Sequence, residues 1–422
     1  MATLEEVLGA QKRHGILQAP TTSTLNISLQ NNTTSSNVWA YITGLDINKN
    51  NAVFLLQSDG KTGYYPQSPA STQSPLLQNC HIQLGAPGTS RAVTIPQIAG
   101  GRIWFCRDNQ LRFLLNPGPA LVEPSVTNPS DPNYSFYWSF AEFTFNTSQL
   151  FANISYVDFV SLPISLALKS ATAGVANQVV TGMSPSGLDT VCANLVAQNA
   201  RDGAGWDKLI VKSPSSPSSS NLRALSPNAG IVMDNALFAG YYQPYVDAVW
   251  AKYASSPLTV DTQAQWGVLQ AQVSPATKLL TFPDAGAFPQ PSSADIFSCS
   301  TGAFAWYPGP NGDVMGNITA RLAAAFNRST LLVNADQPAG ETVASYYKDG
   351  AVATNHYARI VHAANADGKG YAFPYDDVAP EERLGVAGTV SDGNPGVFAV
   401  AVGGGVAVVD GGVPCCLLRV LG

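Results

Sequence analysis

Between about Leu25 and Leu168 the apolar residues fall in short runs of period two: LNISL, VWAYITGL, AVFLL, GRIWF, LRFLL, FAEFTF and SYVDFVSLPISLAL. Clusters of Gly, Pro, Asn and Ser separate the runs. Every second side chain reaches the same face of a strand, so the pattern predicts many antiparallel strands. The period then lengthens. SGLDTVCANLVAQNA carries Leu188, Val191, Cys192, Leu195 and Val196 at helical spacing behind Ser186 as a cap, and YQPYVDAVWAKYAS repeats the spacing with Pro244 in its first turn. NITARLAAAFNRS and NHYARIVHAAN predict further helices. Strand character returns in KGYAFPY, RLGVAGTV, VFAVAV and VAVVD.

Strands, then helices, then strands describe a β-rich α+β fold in which a β domain is interrupted by a mixed α/β insertion. The expected division is residues 1–170 for the first part of the β domain, 171–345 for the insertion and 346–422 for the return to the β domain. SPSSPSSSN (Ser213 to Asn221) reads as a polar loop within the insertion. No internal repeat is present.

Only 12% of the 422 residues are charged, against 45% hydrophobic, so the exterior is solvated mostly by hydroxyls and amides rather than by ions. The net charge of −6 and the lack of a Lys/Arg run argue against a nucleic-acid partner. A neutral polymer is an easier match. Six cysteines (Cys80, Cys106, Cys192, Cys299, Cys415, Cys416) are too few and scattered for a disulfide scaffold, and no C-x-x-C metal pair occurs. Eight N-x-S/T sequons, at Asn26, Asn31, Asn32, Asn133, Asn146, Asn153, Asn317 and Asn327, would permit glycosylation. MATLEEVLGAQKRHG has no apolar core, so no signal peptide is visible, and no apolar run is long enough to span a membrane.

The chemistry concentrates in FAEFTFNTSQLFANISYVDF (Phe140 to Phe159), which sets Glu142 and Asp158 on apolar runs. On a strand Glu142, Thr144 and Asn146 share one face, and Ala141, Phe143 and Phe145 the other. Asp158 alternates in the same way with Val157 and Phe159. Were the two strands neighbours, the acids would line one surface, as glycoside hydrolysis by a proton donor and a water activator requires. A structural reading, polar residues on the wet side of two half-buried strands, fits the spacing as well.

FAEFTFN followed by ISYVDFVSLPIS resembles the acidic-cleft segment of thaumatin-like proteins. The chain is more similar still to the glycoside hydrolase family 64 endo-β-1,3-glucanases, whose β core is thaumatin-like. NPGPALVEPSVTNPSDPNY (Asn116 to Tyr134), IFSCSTGAFAWYPG, ITARLAAAFNRSTLL and NHYARIVHAANADGKGYAFPYDDV (Asn355 to Val378) extend the resemblance from about Tyr41 to Val402. It implies a thaumatin-like antiparallel β-sandwich or barrel, packed against the insertion across an open groove for β-1,3-glucan. By that resemblance Glu142 is the general acid and Asp158 the general base of an inverting mechanism. Thr144 and Asn146 would contact sugar, and Phe151, in the loop between the two strands, would stack on a pyranose ring. Bacterial relatives carry a tryptophan in that loop, and thaumatin-like proteins an aspartate near Asn153, so the sequence departs from both patterns.

The resemblance further implies an extracellular enzyme, read as a monomer, that releases short laminari-oligosaccharides (laminaripentaose) and needs no metal or cofactor. The alternative is a non-catalytic thaumatin-like glucan-binding or antifungal protein, a class built on dense disulfides that six cysteines do not supply. A retaining transglycosylase is a third, weaker reading. Asp376 and Asp377 could tune Asp158 or hold a sugar hydroxyl, but a turn-stabilising role after Pro374 is the favoured reading. His356 and His362, six apart, lack metal-ligand spacing and read as structural. Trp39, Trp104, Trp138 and Trp306 could pave a groove or fill a core.

Overall fold

A computed structural model describes residues 21–214, 220–348, 353–381 and 385–406. The alternating runs become the strands β1 (Thr24–Asn31), β2 (Val38–Asp46), β3 (Ala52–Leu56), β4 (Ser90–Pro96), β5 (Ile98–Arg107), β6 (Tyr137–Phe145), β7 (Leu150–Ile154), β8 (Ile164–Ser170), β9 (Gln178–Val180), β10 (Thr389–Asp392) and β11 (Pro395–Val402). In β1, for example, Leu25, Ile27 and Leu29 are buried while Asn26 stays in solvent, as period two demands.

Two sheets result. The first is five-stranded, in the order β9-β8-β11-β1-β4; the second runs β10-β7-β6-β5-β2-β3 and is extended by short strands at Gly63–Tyr64 and Ile82–Gln83. Sequence-distant segments meet in the first, where β1 pairs parallel with β11 and Ile27 lies opposite Phe398. Ile27, Val93, Leu166 and Phe398 of this sheet share one hydrophobic cluster with Ile42, Ile103, Phe105, Phe143, Phe145 and Ile154 of the larger one. The larger sheet thus spends one face on this core, while the other face is divided between a buried aromatic patch and the site. A register shift against both β2 and β6 marks a bulge in β5 at Gly100, whose φ of 55° lies in the left-handed region that glycine adopts without Cβ strain.

Between β9 and β10 lie the helices α1 (Gly187–Asp202), α2 (Pro227–Met233), α3 (Gln243–Tyr253), α4 (Ser293–Ser298), α5 (Gly312–Arg328) and α6 (His356–Ala364). A five-stranded sheet of Gly286–Phe288, Leu280–Phe282, Val268–Val273, Leu258–Asp261 and Asp336–Gln337 accompanies them. Asn355 caps α6 by accepting the Ala358 amide at 3.0 Å. Ser186 precedes α1 as expected, but its side chain makes no capping bond. A small sheet joins Phe159–Val160 to Asn221–Leu225 and Ile210–Lys212. Through it the segment that follows Asp158 is tied to the helical part of the chain.

Several local expectations change. Of LRFLL only Leu114 and Leu115 enter a strand. KGYAFPY is a turn segment, because its polar groups close a buried network described below, apart from an isolated bridge between Ser155 and Tyr371. The VAVVD strand and most of the SPSSPSSSN loop lie outside the described residues. Cys80, Cys106, Cys192 and Cys299 are buried, and among the described residues no disulfide links them. The sequons at Asn31, Asn133, Asn146, Asn153 and Asn327 are buried, leaving Asn26 and Asn32 exposed and Asn317 half-buried. Among the described residues no helix is long and apolar enough to cross a membrane.

Candidate active site

The site begins as one row of side chains across five neighbouring strands. Directly opposite residues of antiparallel strands project to the same face. Thr43 lies opposite Arg102, Arg102 opposite Glu142, Glu142 opposite Asn153, and Asn153 opposite Thr389. In the next row Thr144 lies opposite Phe151, and Phe151 opposite Ser391. Thr144, Phe151, Thr389 and Ser391 are all half-buried, so this part of the face is open.

The row on the other side of Glu142 is apolar and closed. Phe140, Trp104 and Tyr41 lie opposite one another in turn, each at most 4% exposed. Trp138, Phe113 and Phe159 complete the cluster, with ring centroids as close as 4.6 Å (Trp138 to Phe159). Such pairs add about 0.5–1.5 kcal/mol each beyond burial, so Glu142 stands at the edge of a stiff wall. Trp104 and Trp138 are therefore core residues, Trp39 is half-buried, and Trp306 is 70% exposed.

Arg102 holds the row together. Its Nε and Nη2 donate to Oε1 of Glu142 at 3.3 and 3.2 Å, and its Nη1 donates to Oε2 of Glu123. The guanidinium lies 4.9 Å from the Phe140 ring centroid. Burial works against its charge, but Glu123, Glu142 and Asp158 overcome that and raise its pKa. Glu123 follows a short strand, Ala120–Val122, that pairs outside the two main sheets. Burial raises its pKa, with Glu142 adding to the rise and Arg102 opposing it. The Thr43 hydroxyl accepts Trp104 Nε1–H at 3.0 Å.

Asp158 sits in a bend rather than on a strand, which corrects the alternation expected for SYVDF. The chain leaves β7 at Ile154, bridges once from Ser155 to Tyr371 and re-enters a strand at Phe159, opposite Leu225. The Asp158 carbonyl accepts the Ser226 amide at 2.8 Å, which pins the bend. Its carboxylate is exposed, yet its pKa is raised, first by desolvation and then by Glu142, with Arg102 opposing. Glu142 and Asp158 are thus brought within electrostatic reach of each other and of Arg102.

Phe151 also departs from expectation: it lies on β7, opposite Thr144, and not in a loop. Asn146 follows β6, where its side-chain oxygen accepts the Ser148 and Gln149 amides at 2.8 and 3.0 Å and closes the hairpin. Asp376 is fully buried and accepts from His362 Nε2 (2.8 Å), Arg328 Nη2 (3.1 Å) and the Ala372 amide (3.0 Å). That network fixes the YAFPYDD turn, so Asp376 is structural. Asp377 is exposed and accepts the Tyr371 hydroxyl at 2.7 Å. His356 Nδ1 accepts from Arg359, and no cluster of His, Cys, Asp and Glu suited to a metal occurs among the described residues.

Arg102 and Glu123 are site residues that the sequence reading passed over. Arg102 was within reach of the rule applied to Glu142, since in GRIWF it alternates with core residues. Glu123 lies beyond its short strand, and only the tertiary fold brings it to Arg102.

A family model described as β-1,3-glucanase, glycoside hydrolase family 64, matches residues 23–402. Glucan endo-1,3-beta-glucosidases from Cellulosimicrobium cellulans and Arthrobacter sp. are each 31% identical over 312 residues, covering 72% of this chain and 52% of theirs. The chain spans about half the length of these curated relatives. Among solved structures, a laminaripentaose-producing β-1,3-glucanase in complex with laminaritetraose superposes with a TM-score of 0.76 at 29% identity, over 90% of this chain and 99% of that one. A β-1,3-glucanase domain from Clostridium beijerinckii (TM-score 0.66, 20% identity, 91% and 99% of the two chains) shares the fold.

Proposed function

The chain belongs to the β-1,3-glucanases of glycoside hydrolase family 64, and on that premise we propose that it is an endo-β-1,3-glucanase that cleaves long β-1,3-glucan with inversion. One observation supports the reading: Arg102 hydrogen-bonds Glu142, and Glu142 and Arg102 both act electrostatically on the exposed Asp158. Glu142 gives its proton to the glycosidic oxygen as the bond to the anomeric carbon breaks. Asp158 takes a proton from the water that attacks that carbon from the opposite side. Inversion needs about 6.5–9.5 Å between the carboxyls to seat the water. The step consumes one water and leaves one proton exchanged, so it balances without a cofactor.

Thr144 and Asn146 would hydrogen-bond sugar beside the cleavage point, Asn146 through its NH2 group because its oxygen is spent in the hairpin. Phe151 would stack on a pyranose from β7. The two main sheets would form the thaumatin-like β domain, residues 171–345 the inserted α/β domain, and the groove would run between them with Asp158 at the junction. The pairing of β1 with β11 and the strand that ties Phe159 to Leu225 support this arrangement. The product would be short laminari-oligosaccharides, laminaripentaose among them, and the protein would act outside the cell as a monomer.

Reducing-sugar release from linear β-1,3-glucan tests the reading. Wild type should release sugar, and Glu142→Gln and Asp158→Asn should lose roughly 10²–10⁴ of the rate. Binding without release by the wild type would instead identify a non-catalytic glucan-binding protein.

A further inference from the structure

Asp158 and Glu142 are held by different parts of the chain, and one buried side chain joins their supports. The strand Asn221–Leu225 holds the Asp158 segment by backbone pairing, with Phe159 opposite Leu225 and Val160 opposite Ala224. On either side of those pairs the Ser226 amide donates to the Asp158 carbonyl at 2.8 Å, and the Ser161 hydroxyl to the Leu222 carbonyl at 2.8 Å. Arg223 sits in the middle of that strand. Alternate residues of a strand, and residues directly opposite each other, project to one face, so Arg223 lies with Leu225 and Phe159. It enters the aromatic wall there, 1% exposed, with its guanidinium carbon 5.3 Å from the Tyr134 ring centroid, 5.7 Å from Trp138 and 5.8 Å from Phe159.

Nη2 reaches the other support. It donates to the Tyr134 carbonyl at 2.6 Å and to the Phe136 carbonyl at 3.0 Å, both just before β6 begins at Tyr137. Glu142 lies further along that strand. A second polar link between the same segments, Tyr137 Oη to Ser220 Oγ at 2.9 Å, is exposed and competes with water.

The place is a costly one for a cation. Burial pulls its pKa down to about 10 against the opposing charges of Tyr134 and Asp131, and its Nε and Nη1 have no partner among the described residues. Methionine would fill similar space without a buried charge. What methionine lacks is a rigid planar fork that packs between rings and donates at a fixed angle.

We propose that Arg223 is a positioning residue for the hydrolytic reaction, one that fixes the Asp158 bend against the start of β6 and so sets the gap between Asp158 and Glu142 in which the attacking water is held. The proposal rests on the glucanase reading. Arg223 acts only through Phe159 and the two carbonyls.

The test is steady-state hydrolysis of laminarihexaose by wild type, Arg223→Met and Arg223→Lys, each assayed well below the melting temperature that circular dichroism gives it. A reacting group misplaced by about 1 Å loses up to about 10² in rate, so kcat of Arg223→Met should fall roughly 10–100-fold. KM should stay within about twofold of wild type, because the sugar contacts are elsewhere. Arg223→Lys keeps a donor for the two carbonyls but loses the fork. It should recover part of kcat, and it carries the test if Arg223→Met does not fold. A role confined to folding predicts a lower melting temperature with wild-type kcat in every variant that folds. That result, or a rise in KM at unchanged kcat, overturns the proposal and leaves the glucanase reading standing. No sugar release by the wild type would sink that reading instead.

Discussion

Glu142 and Asn153 lie directly opposite each other on β6 and β7, and the side-chain oxygen of Asn153 is buried without a hydrogen-bond partner. A neutral residue at that point spares Glu142 a second like charge across the strand pair. Asn153→Asp would add it. Like charges opposite each other destabilise a strand pair by up to about 1 kcal/mol, so urea denaturation at pH 7 should show a loss of that order that shrinks as the pH is lowered.

Asp158 gives a stability prediction of the opposite sign to the usual acidic residue. Its folded pKa is raised above the ordinary value of 3.8 by desolvation and by Glu142. Folding therefore favours the protonated form. That contribution is complete below the unfolded pKa and is lost as the pH rises through the folded one. Asp158→Asn removes the penalty, so its melting temperature should exceed that of wild type at pH 7 and converge with it in acid, while hydrolysis is lost. Thermal scans across pH 3–8, taken as a rough window around the carboxylate range, would show whether the curves separate in this direction.

Asp376 should behave conversely. Burial alone would raise its pKa, but His362, Arg328 and the Ala372 amide together hold it below the ordinary carboxylate value. The stability it supplies is present above the unfolded pKa and is lost as the pH falls through the folded one. Asp376→Asn strips Arg328, 1% exposed, of its nearest carboxylate and leaves it Glu341 at 3.8 Å. Breaking a buried pair in this way costs about 3–5 kcal/mol, and chemical denaturation at neutral pH should find a loss near the lower bound. A change under about 1 kcal/mol would mean that the pair contributes no more than a surface bridge.

Gly101 connects the core face to the site. A Cβ there would stand 2.4 Å from the ring of Phe143, the residue after Glu142. Gly101→Ala must push that ring, at a cost of about 1–3 kcal/mol, and the backbone shift passes to Glu142. Activity should fall with little change in KM, because geometry at the reacting bond is disturbed more than sugar binding. Steady-state kinetics would separate the two.

The alternating runs were legible because each long strand buries one face: LNISL, VWAYITGL and FAEFTF appear as strands near the expected bounds. The helices behind Ser186 and around Pro244 were legible for the matching reason at period 3.6. Asp158 was not, since a bend held by one backbone hydrogen bond to Ser226 leaves no period to detect. KGYAFPY carries the apolar alternation of a strand, but the turn is set by His362 and by Arg328, which lies 48 positions from Asp376, and these are tertiary contacts that no local period encodes. The meeting of Glu123 with Arg102 likewise depends on a loop path that local pattern does not encode.

The most direct measurement is proton NMR of laminarihexaose during hydrolysis by the wild-type protein, reading the anomer that forms first at the new reducing end. A water activated by Asp158 opposite a proton from Glu142 predicts the α-anomer, followed by mutarotation. Initial appearance of the β-anomer would contradict the account.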